Sequence, residues 1–507
     1  MLINKNYFEA YASKETFERL KLYDTVPSFL DYIEKEYRDL VAIASSDKLI
    51  TYKELAIDIR KVATVLKNND IKGKTNVGVI CDNNYDFVKT SLGIMSYGAV
   101  ATLLPVQLDD KTIYGCCLKY QLTCLFYEAK LEERIEFAKK MAPNVKFIKI
   151  EEFNVEETAY NYAITKKDPA CIVLTGGTTG KSKGAILSHL ALMSGTLNGT
   201  YGYKDVFYQV CYSIMPLTHV FGLIRNLLTS LYTGSKVYFC QDKRTMFKEI
   251  KEVKPTILVL VPALAEIFLN LIKQFGLGFV GGELKTIICG GASVPPYLVE
   301  EYPKFGVTLL PGYGLTETAN LVSGNPLGCQ KPTSVGLPYP NQELKIVDGE
   351  LWLKGDNLLD GYFAEPEENE KAFVDGWFKT GDLVEMDEDG FLYIVGRIKE
   401  IIVLSNGENV SPAQIETKIN TLKFIQDSLV TLEKNEFGAE ILQAEVILRP
   451  IVMAKLNVEN PQAMVEAEIE KINATLFDYE RIAKVVIRTE DFKRSPSMKI
   501  IRPKQAM

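Results

Sequence analysis

One segment restricts the possible folds more than any other: Leu174-Thr175-Gly176-Gly177-Thr178-Thr179-Gly180-Lys181-Ser182-Lys183-Gly184. Its glycines let the backbone turn sharply and aim N–H groups at phosphate oxygens. Thr175, Thr178, Thr179 and Ser182 add hydroxyl donors, and Lys181 and Lys183 add mobile positive charge suited to a departing polyphosphate. A strand-like run precedes the segment, so the loop belongs at a strand end. A merely solvated polar loop does not need this density of hydroxyls, glycines and lysines. Gly180-Lys181-Ser182 also matches the end of the nucleotide-triphosphatase pattern G-x-x-x-x-G-K-[ST]. Position 175 is Thr where that pattern wants Gly, and Ala185-Ile186-Leu187-Ser188 reads as a strand where it opens a helix. The segment is therefore a phosphate loop of another kind.

The surrounding chain supplies sheets for such a loop. Leu55, Ile59, Val62 and Leu66 fall on one helical face. Asn76–Cys81, Ala99–Leu104 and Thr123–Tyr127 read as short apolar strands, with a helix over Asp86–Tyr97 between the first two. Strands are also predicted at Thr256–Val261 and Thr286–Cys289, a rhythm of parallel sheet covered by helices. The pattern then changes. Leu344–Val347, Asp348-Gly349 and Glu350–Leu353 spell a hairpin, and Asp375-Gly376 and Asp389-Gly390 mark further turns. After Gly396 a new unit is predicted, with strands near Glu400–Leu404, Val430–Leu432, Glu445–Leu448 and Val485–Arg488, and a helix near Met464–Leu476. The expected fold class is α/β. A large N-terminal domain of helix-covered sheets spans 1–396 and includes a β-rich subdomain at 330–396. A small, mobile α+β C-terminal domain spans 397–507. At 507 residues the chain is too long for a single core, which agrees with this division.

Charge and cysteine usage exclude some partners. Acidic residues outnumber basic ones, 65 to 58, for a net −7, which argues against a nucleic-acid-coating surface. Nine scattered cysteines without a C-x-x-C read as reduced thiols in a cytoplasmic protein. No secretory signal is evident at the N-terminus. The most apolar stretch, 256–280, is interrupted by Pro262, Glu266, Asn270, Lys273 and Gln274, so it is expected to be a buried strand and an amphipathic helix, with no transmembrane segment.

Further segments follow in order: Met215-Pro216-Leu217-Thr218-His219-Val220-Phe221-Gly222, Cys289-Gly290-Gly291-Ala292-Ser293, Pro311-Gly312-Tyr313-Gly314-Leu315-Thr316-Glu317-Thr318, Lys379-Thr380-Gly381-Asp382-Leu383, Tyr393 with Gly396-Arg397-Ile398-Lys399-Glu400, and Lys493–Arg502. Taken alone, each has an ordinary reading: a tight turn, a solvated carboxylate, a surface Arg, a tail Lys. Neither histidine, His189 or His219, has a Ser/Asp constellation of hydrolase type, and His189 reads as structural.

As an ordered set with the Thr/Gly-rich loop, these segments resemble the acyl-adenylate-forming superfamily, which includes acyl-CoA synthetases, firefly luciferase and the adenylation domains of peptide synthetases. The resemblance spans nearly the whole chain. It implies that Thr175, Gly176, Gly177, Thr178, Thr179, Gly180, Lys181 and Lys183 hold ATP phosphates. Gly290, Gly291 and Ala292 would line the adenine and acyl pockets, with Tyr313 and Gly314 beside the adenine. Thr316 would contact the α-phosphate and Glu317 bind Mg²⁺. Asp382 would accept hydrogen bonds from both ribose hydroxyls. Tyr393 and Arg397 would join the nucleotide site, Arg397 reaching the ribose. His219 would sit beside the acyl pocket, and Lys399 would be the hinge. Lys499 would stabilise charge as the substrate carboxylate attacks. Met498 stands where many members have glycine. Long-chain acyl-CoA synthetases often carry a bulky residue there, which with Asn406–Pro412 tilts the reading toward the fatty-acyl branch. The implied function is an ATP-dependent acid–thiol ligase of fatty acid metabolism that uses a carboxylic acid, ATP, Mg²⁺ and CoA. Two alternatives are loading of an acyl carrier protein, although no carrier domain follows Lys499, and a non-catalytic nucleotide-binding protein on the same scaffold.

Overall fold

The computed structural model describes residues 2–3, 14–150, 153–157, 163–175, 183–202, 206–240, 242, 244–494 and 500–502. It is a mixed α/β architecture with two largely parallel sheets. In the first sheet, strands Lys146–Lys149, Cys124–Tyr127, Asn76–Ile80, Val100–Leu104 and Pro169–Thr175 lie side by side and parallel. Lys183–Ser188 then returns antiparallel to Pro169–Thr175, with Thr175 opposite Lys183, and Gly361–Tyr362 extends the edge. The phosphate loop therefore connects two antiparallel neighbours, which agrees with setting aside the strand–loop–helix pattern.

The second sheet has nine strands among the described residues. Its parallel part is Val41–Ala44, Lys236–Phe239, Val210–Ser213, Ile257–Leu260, Thr286–Cys289 and Thr308–Tyr313. Parallel strands are covered on both faces, and Ile257–Leu260 is buried at every position. The apolar stretch noted above continues as helix Pro262–Phe275, whose buried side is Ala265, Phe268, Leu269 and Ile272. Helix Tyr52–Asn68 starts at a Thr51–Glu54 capping box and buries Leu55, Ile59, Val62 and Leu66, as its spacing predicts. No helix among the described residues is long and apolar enough to cross a membrane.

The β-rich segment is centred on the hairpin Gln342–Val347/Glu350–Gly355. Asp348 (φ 49°) and Gly349 (φ 81°) are both left-handed, as a two-residue type I′ turn requires. Trp377–Met386 and Leu392–Arg397 extend this sheet and set Asp382 opposite Arg397.

Beyond Arg397 the chain forms a 3₁₀ turn at Ile398–Glu400 and a short pair, Ile402–Val403 with Asn409–Val410. The strand expected over 400–404 is thus only two residues long, because Ile401 N–H turns back onto the Arg397 carbonyl at 3.1 Å. Strands Ile425–Lys434, Glu440–Leu448 and Ile482–Arg488 follow. The last two are parallel, and helix Pro461–Asn473 makes the crossover that parallel pairing demands. This region has its own core of Ile402, Val410, Ile415, Val430, Val446, Ile469 and neighbours. It meets the preceding chain at Arg449, whose Nε lies 2.6 Å from Glu266 and whose guanidinium sits 4.7 Å from the Tyr297 ring centroid.

Candidate active site

Three of the singled-out residues meet at one carboxylate. Asp382 is 2% exposed. Its Oδ1 accepts from Arg397 Nε at 2.6 Å and its Oδ2 from the Tyr313 hydroxyl at 2.5 Å. The turn carrying it is held from below. Thr380 Oγ1 accepts from Asp382 N–H at 3.0 Å, and buried Glu350 accepts from Gly381 N–H at 2.9 Å and from Trp352 Nε1 at 2.8 Å. The Asp382 charge holds the Arg397 guanidinium above its ordinary pKa. Burial, and then the same charge, push the Tyr313 hydroxyl well above its own, so Tyr313 remains a donor.

Strand Thr308–Tyr313 runs into a turn that few sequences can make. A Cβ on Gly314 would lie 1.5 Å from the Asn320 carbonyl oxygen. Ala319 (φ 45°) and Asn320 (φ 77°) are consecutive left-handed residues, and the Thr318 hydroxyl ties back to Leu315 N–H and C=O at 3.0 and 3.1 Å. Thr316 is buried within this turn, and half-buried Glu317 projects an oxygen that accepts from the Tyr362 hydroxyl at 2.9 Å. Lys183, at the exit of the phosphate loop, places its ammonium 5.0 Å from the centroid of the Tyr362 ring and pairs with Glu368.

The neighbouring strand ends lie at the carboxyl edge of the second sheet, the edge at which ligands of open α/β sheets bind. Gly290 approaches the Gly312 carbonyl so closely that a Cβ there would stand 3.0 Å from it, and Gly291 has φ 81°. Ala292 is exposed. Phe221 faces both glycines, since Cβ atoms added to them would lie 3.7 and 4.0 Å from its ring. His219, half-buried, accepts from Phe221 N–H through Nδ1 at 3.2 Å, immediately before the π-helix Phe221–Leu228. The segment leading to His219 is fixed by Asn83 of the first sheet's loops. Its amide donates to the Met215 carbonyl and accepts from Leu217 N–H, both at 2.9 Å.

Other expected residues lie elsewhere or outside the described chain. The Tyr393 hydroxyl donates to Asp387 at 2.9 Å, at the far turn of the hairpin from Asp382, beside Lys331. Lys399 is exposed in the 3₁₀ turn. Thr175 is buried at the loop's entrance. Gly176, Gly177, Thr178, Thr179, Gly180, Lys181 and Lys499 lie outside the described residues. The flanks of 495–499 are anchored: Arg494 pairs with Ile500 as an antiparallel bridge, and Arg502 binds Glu400 at 2.9 Å and Glu416 at 2.8 Å. Tyr362, Glu368, Glu350 and Asn83 are residues that the motifs did not single out.

His189 is structural, as its sequence context implied. It is fully buried and accepts from Val26 N–H through Nδ1 at 3.2 Å. Burial lowers its pKa from 6.5 to about 4. Between those values the unfolded chain takes up a proton that folded His189 refuses, so stability falls as pH drops through that window. The full effect is about 3 kcal/mol. His189→Gln should flatten the pH dependence of unfolding free energy between neutrality and about pH 4. A wild-type slope in urea titrations of this variant would show that another group is responsible.

The chain is similar to several known proteins. A family model described as AMP-binding enzyme matches residues 30–363, and one described as AMP-binding enzyme C-terminal domain matches residues 399–506. A long-chain-fatty-acid–CoA ligase of Yersinia pestis is 33% identical over 303 residues, covering 56% of this chain and 53% of that protein. A 2-succinylbenzoate–CoA ligase of Bacillus cytotoxicus is 26% identical over 498 residues, covering 94% and 98%. The crystal structure of the anthranilate CoA ligase AuaEII with anthranoyl-AMP superposes with a TM-score of 0.84 at 20% identity, covering 96% of this chain and 97% of that one, and shows a shared fold.

Proposed function

The chain belongs to the AMP-binding enzyme family, and from that premise we propose that it activates a medium- or long-chain fatty acid as acyl-AMP and passes the acyl group to CoA. It is an AMP-forming acyl-CoA synthetase with ATP, Mg²⁺ and CoA as co-substrates. The observation that carries the reading is the convergence of Tyr313 and Arg397 on buried Asp382. That carboxylate offers the acceptors a ribose diol needs, and the Tyr313 ring stands beside them for the base. A ribose hydroxyl would take over the acceptor position that Tyr313 now uses.

Among the described residues no group of three or more His, Cys, Asp or Glu could hold a metal by itself. This donor set fits Mg²⁺, which is commonly bound through one or two carboxylates plus substrate phosphates. Glu317 would be the carboxylate that holds the ion, which when bound would supply positive charge against the negative phosphates. A substrate carboxylate oxygen attacks the α-phosphorus and the α–β phosphate bond breaks. Thr316 and the loop 175–183 orient the phosphates, while Lys499 supplies positive charge where negative charge gathers. In the second step the CoA sulfur attacks the acyl carbon and the bond to AMP breaks.

The division into 1–396 and 397–507, with a swing about Lys399 between the two steps, is part of this proposal. The separate core beyond residue 397 and the exposed Lys399 in a three-residue turn support it. A fatty acid is favoured by the long-chain-fatty-acid CoA ligases among the relatives. Aryl acids are second, on the names of the 2-succinylbenzoate and anthranilate ligases. The nine cysteines are scattered along the sequence with no C-x-x-C, which supports a cytoplasmic setting. A panel of fatty and aryl acids offered with CoA, and separately with a holo carrier protein, tests the assignment. The expected product is the CoA thioester of medium- or long-chain acids. Thioester only from aryl acids would remove the fatty-acid reading, and thioester only on the carrier would remove CoA as acceptor.

A further inference from the structure

Tyr362 lies outside every motif singled out above, yet it touches both kinds of charge that a metal-bound polyphosphate would meet. Gly361–Tyr362 pairs antiparallel with Ala185–Ile186, the strand that leaves the phosphate loop. Gly361 has φ 137°, and a Cβ there would lie 3.1 Å from the Asn369 side chain, so the close approach depends on glycine. Asn369 uses that closeness. Its oxygen accepts from Tyr362 N–H at 2.6 Å and its amide donates to the Tyr362 carbonyl at 3.0 Å. The backbone of Tyr362 is thereby fixed from both sides independently of its side chain.

Tyr362 is 9% exposed, and its side chain works at both ends. Its hydroxyl donates to Glu317 Oε1 at 2.9 Å. Its ring carries the Lys183 ammonium 5.0 Å from the centroid, a cation–π distance, while Lys183 also pairs with Glu368.

We infer that Tyr362 is a positioning residue for the Mg²⁺–ATP site, holding one oxygen of Glu317 so that the other faces the cation, while its ring sets the place of Lys183. The inference rests on Glu317 being the Mg²⁺-binding carboxylate. A hydrogen bond of this kind restricts carboxylate rotation, and a carboxylate with one oxygen fixed still offers lone pairs on the other. The ordinary alternative is a buried tyrosine that merely satisfies its hydroxyl on the nearest acceptor. The two differ in what they do to metal dependence.

The test reads binding without turnover. ATP is titrated calorimetrically into the full chain, with no carboxylic acid present, across a series of Mg²⁺ concentrations. Wild type, Tyr362→Phe, Glu317→Gln and the double variant are compared. Tyr362→Phe keeps the ring and the Lys183 contact and removes only the hydroxyl. The Mg²⁺ concentration giving half of the metal-dependent gain in ATP affinity should rise about 3- to 10-fold in Tyr362→Phe, the scale of one lost hydrogen bond. Metal-free ATP affinity should stay at the wild-type value. Glu317→Gln should shift the midpoint further, and adding Tyr362→Phe to it should change nothing more, because the hydroxyl acts through that carboxylate. If Glu317→Gln shifts the midpoint and Tyr362→Phe does not, Tyr362 is only structural and the inference falls. If Glu317→Gln itself leaves the midpoint unchanged, the assignment of Glu317 to Mg²⁺ falls and takes the inference with it.

Discussion

Lys499→Ala is expected to lower acyl-adenylate formation by about two orders of magnitude or more, the scale of losing one preorganised charge-stabilising donor. Negative charge gathers on the α-phosphate as the carboxylate attacks, and an ammonium placed there is worth most in the transition state. The residue sits between well-anchored flanks. Arg494 binds Asp427 at 2.6 Å, Arg494 and Ile500 pair across the segment, and Arg502 binds Glu400 and Glu416. Trimming one side chain between these anchors should leave the C-terminal core standing. The variant should therefore still convert a supplied acyl-adenylate and CoA to thioester near the wild-type rate. Equal damage to both half-reactions would mean that Lys499 acts through structure.

Lys399→Pro should have the second largest effect, and on the opposite half-reaction. Lys399 is exposed in the turn Ile398–Glu400, with Arg397 extended before it (φ −125°) and Ile401 extended after it. If the region beyond 397 swings between two orientations, backbone torsions in this turn must change. Proline fixes φ near −65° and restricts the residue before it, and in an incompatible backbone it costs about 3 kcal/mol. The observed 3₁₀ turn accommodates such a φ, so one orientation is favoured at the expense of the other. Carboxylate-dependent ATP–pyrophosphate exchange should largely survive, while thioester formation from acyl-adenylate falls roughly ten-fold or more. Lys399→Ala separates the charge from the backbone and should be milder. Thioester formation at the wild-type rate in Lys399→Pro would place the hinge elsewhere or remove the need for a large rotation.

Much of the fold was legible because its signals are local. The strand at 286–289 has the bounds read from its apolar run, and Asp348-Gly349 announced its hairpin through the left-handed turn it must make. The strand expected over 400–404 is present but shortened to Ile402–Val403, because a turn at Ile398–Glu400 precedes it and alternation alone does not reveal where a chain bends. Helices Val26–Tyr37 and Pro412–Ile419 went unread although Thr25 with Pro27 and Ser28, and Ser411 with Pro412, mark their starts. At the site, Tyr313, Asp382 and Arg397 were legible from their motifs, and the structure brings them into direct contact. Tyr393 shows the limit of that approach, since its hydroxyl goes to Asp387 instead. Tyr362 and Asn83 carry no local signature. Their partners, Glu317 and the Met215–Leu217 backbone, are 45 residues away for the first and 132 to 134 for the second. Their meaning arises only when separate strand ends are brought together.

A carboxylic acid cleaving ATP between its α- and β-phosphates releases pyrophosphate reversibly, and isotope exchange reads that bond directly. Labelled pyrophosphate, ATP, Mg²⁺ and a fatty acid are incubated with the protein in the absence of CoA. Label should enter ATP only when both the acid and Mg²⁺ are present, with AMP as the nucleotide product once CoA is added. Formation of ADP and orthophosphate, or no exchange with any fatty or aryl acid, would contradict it.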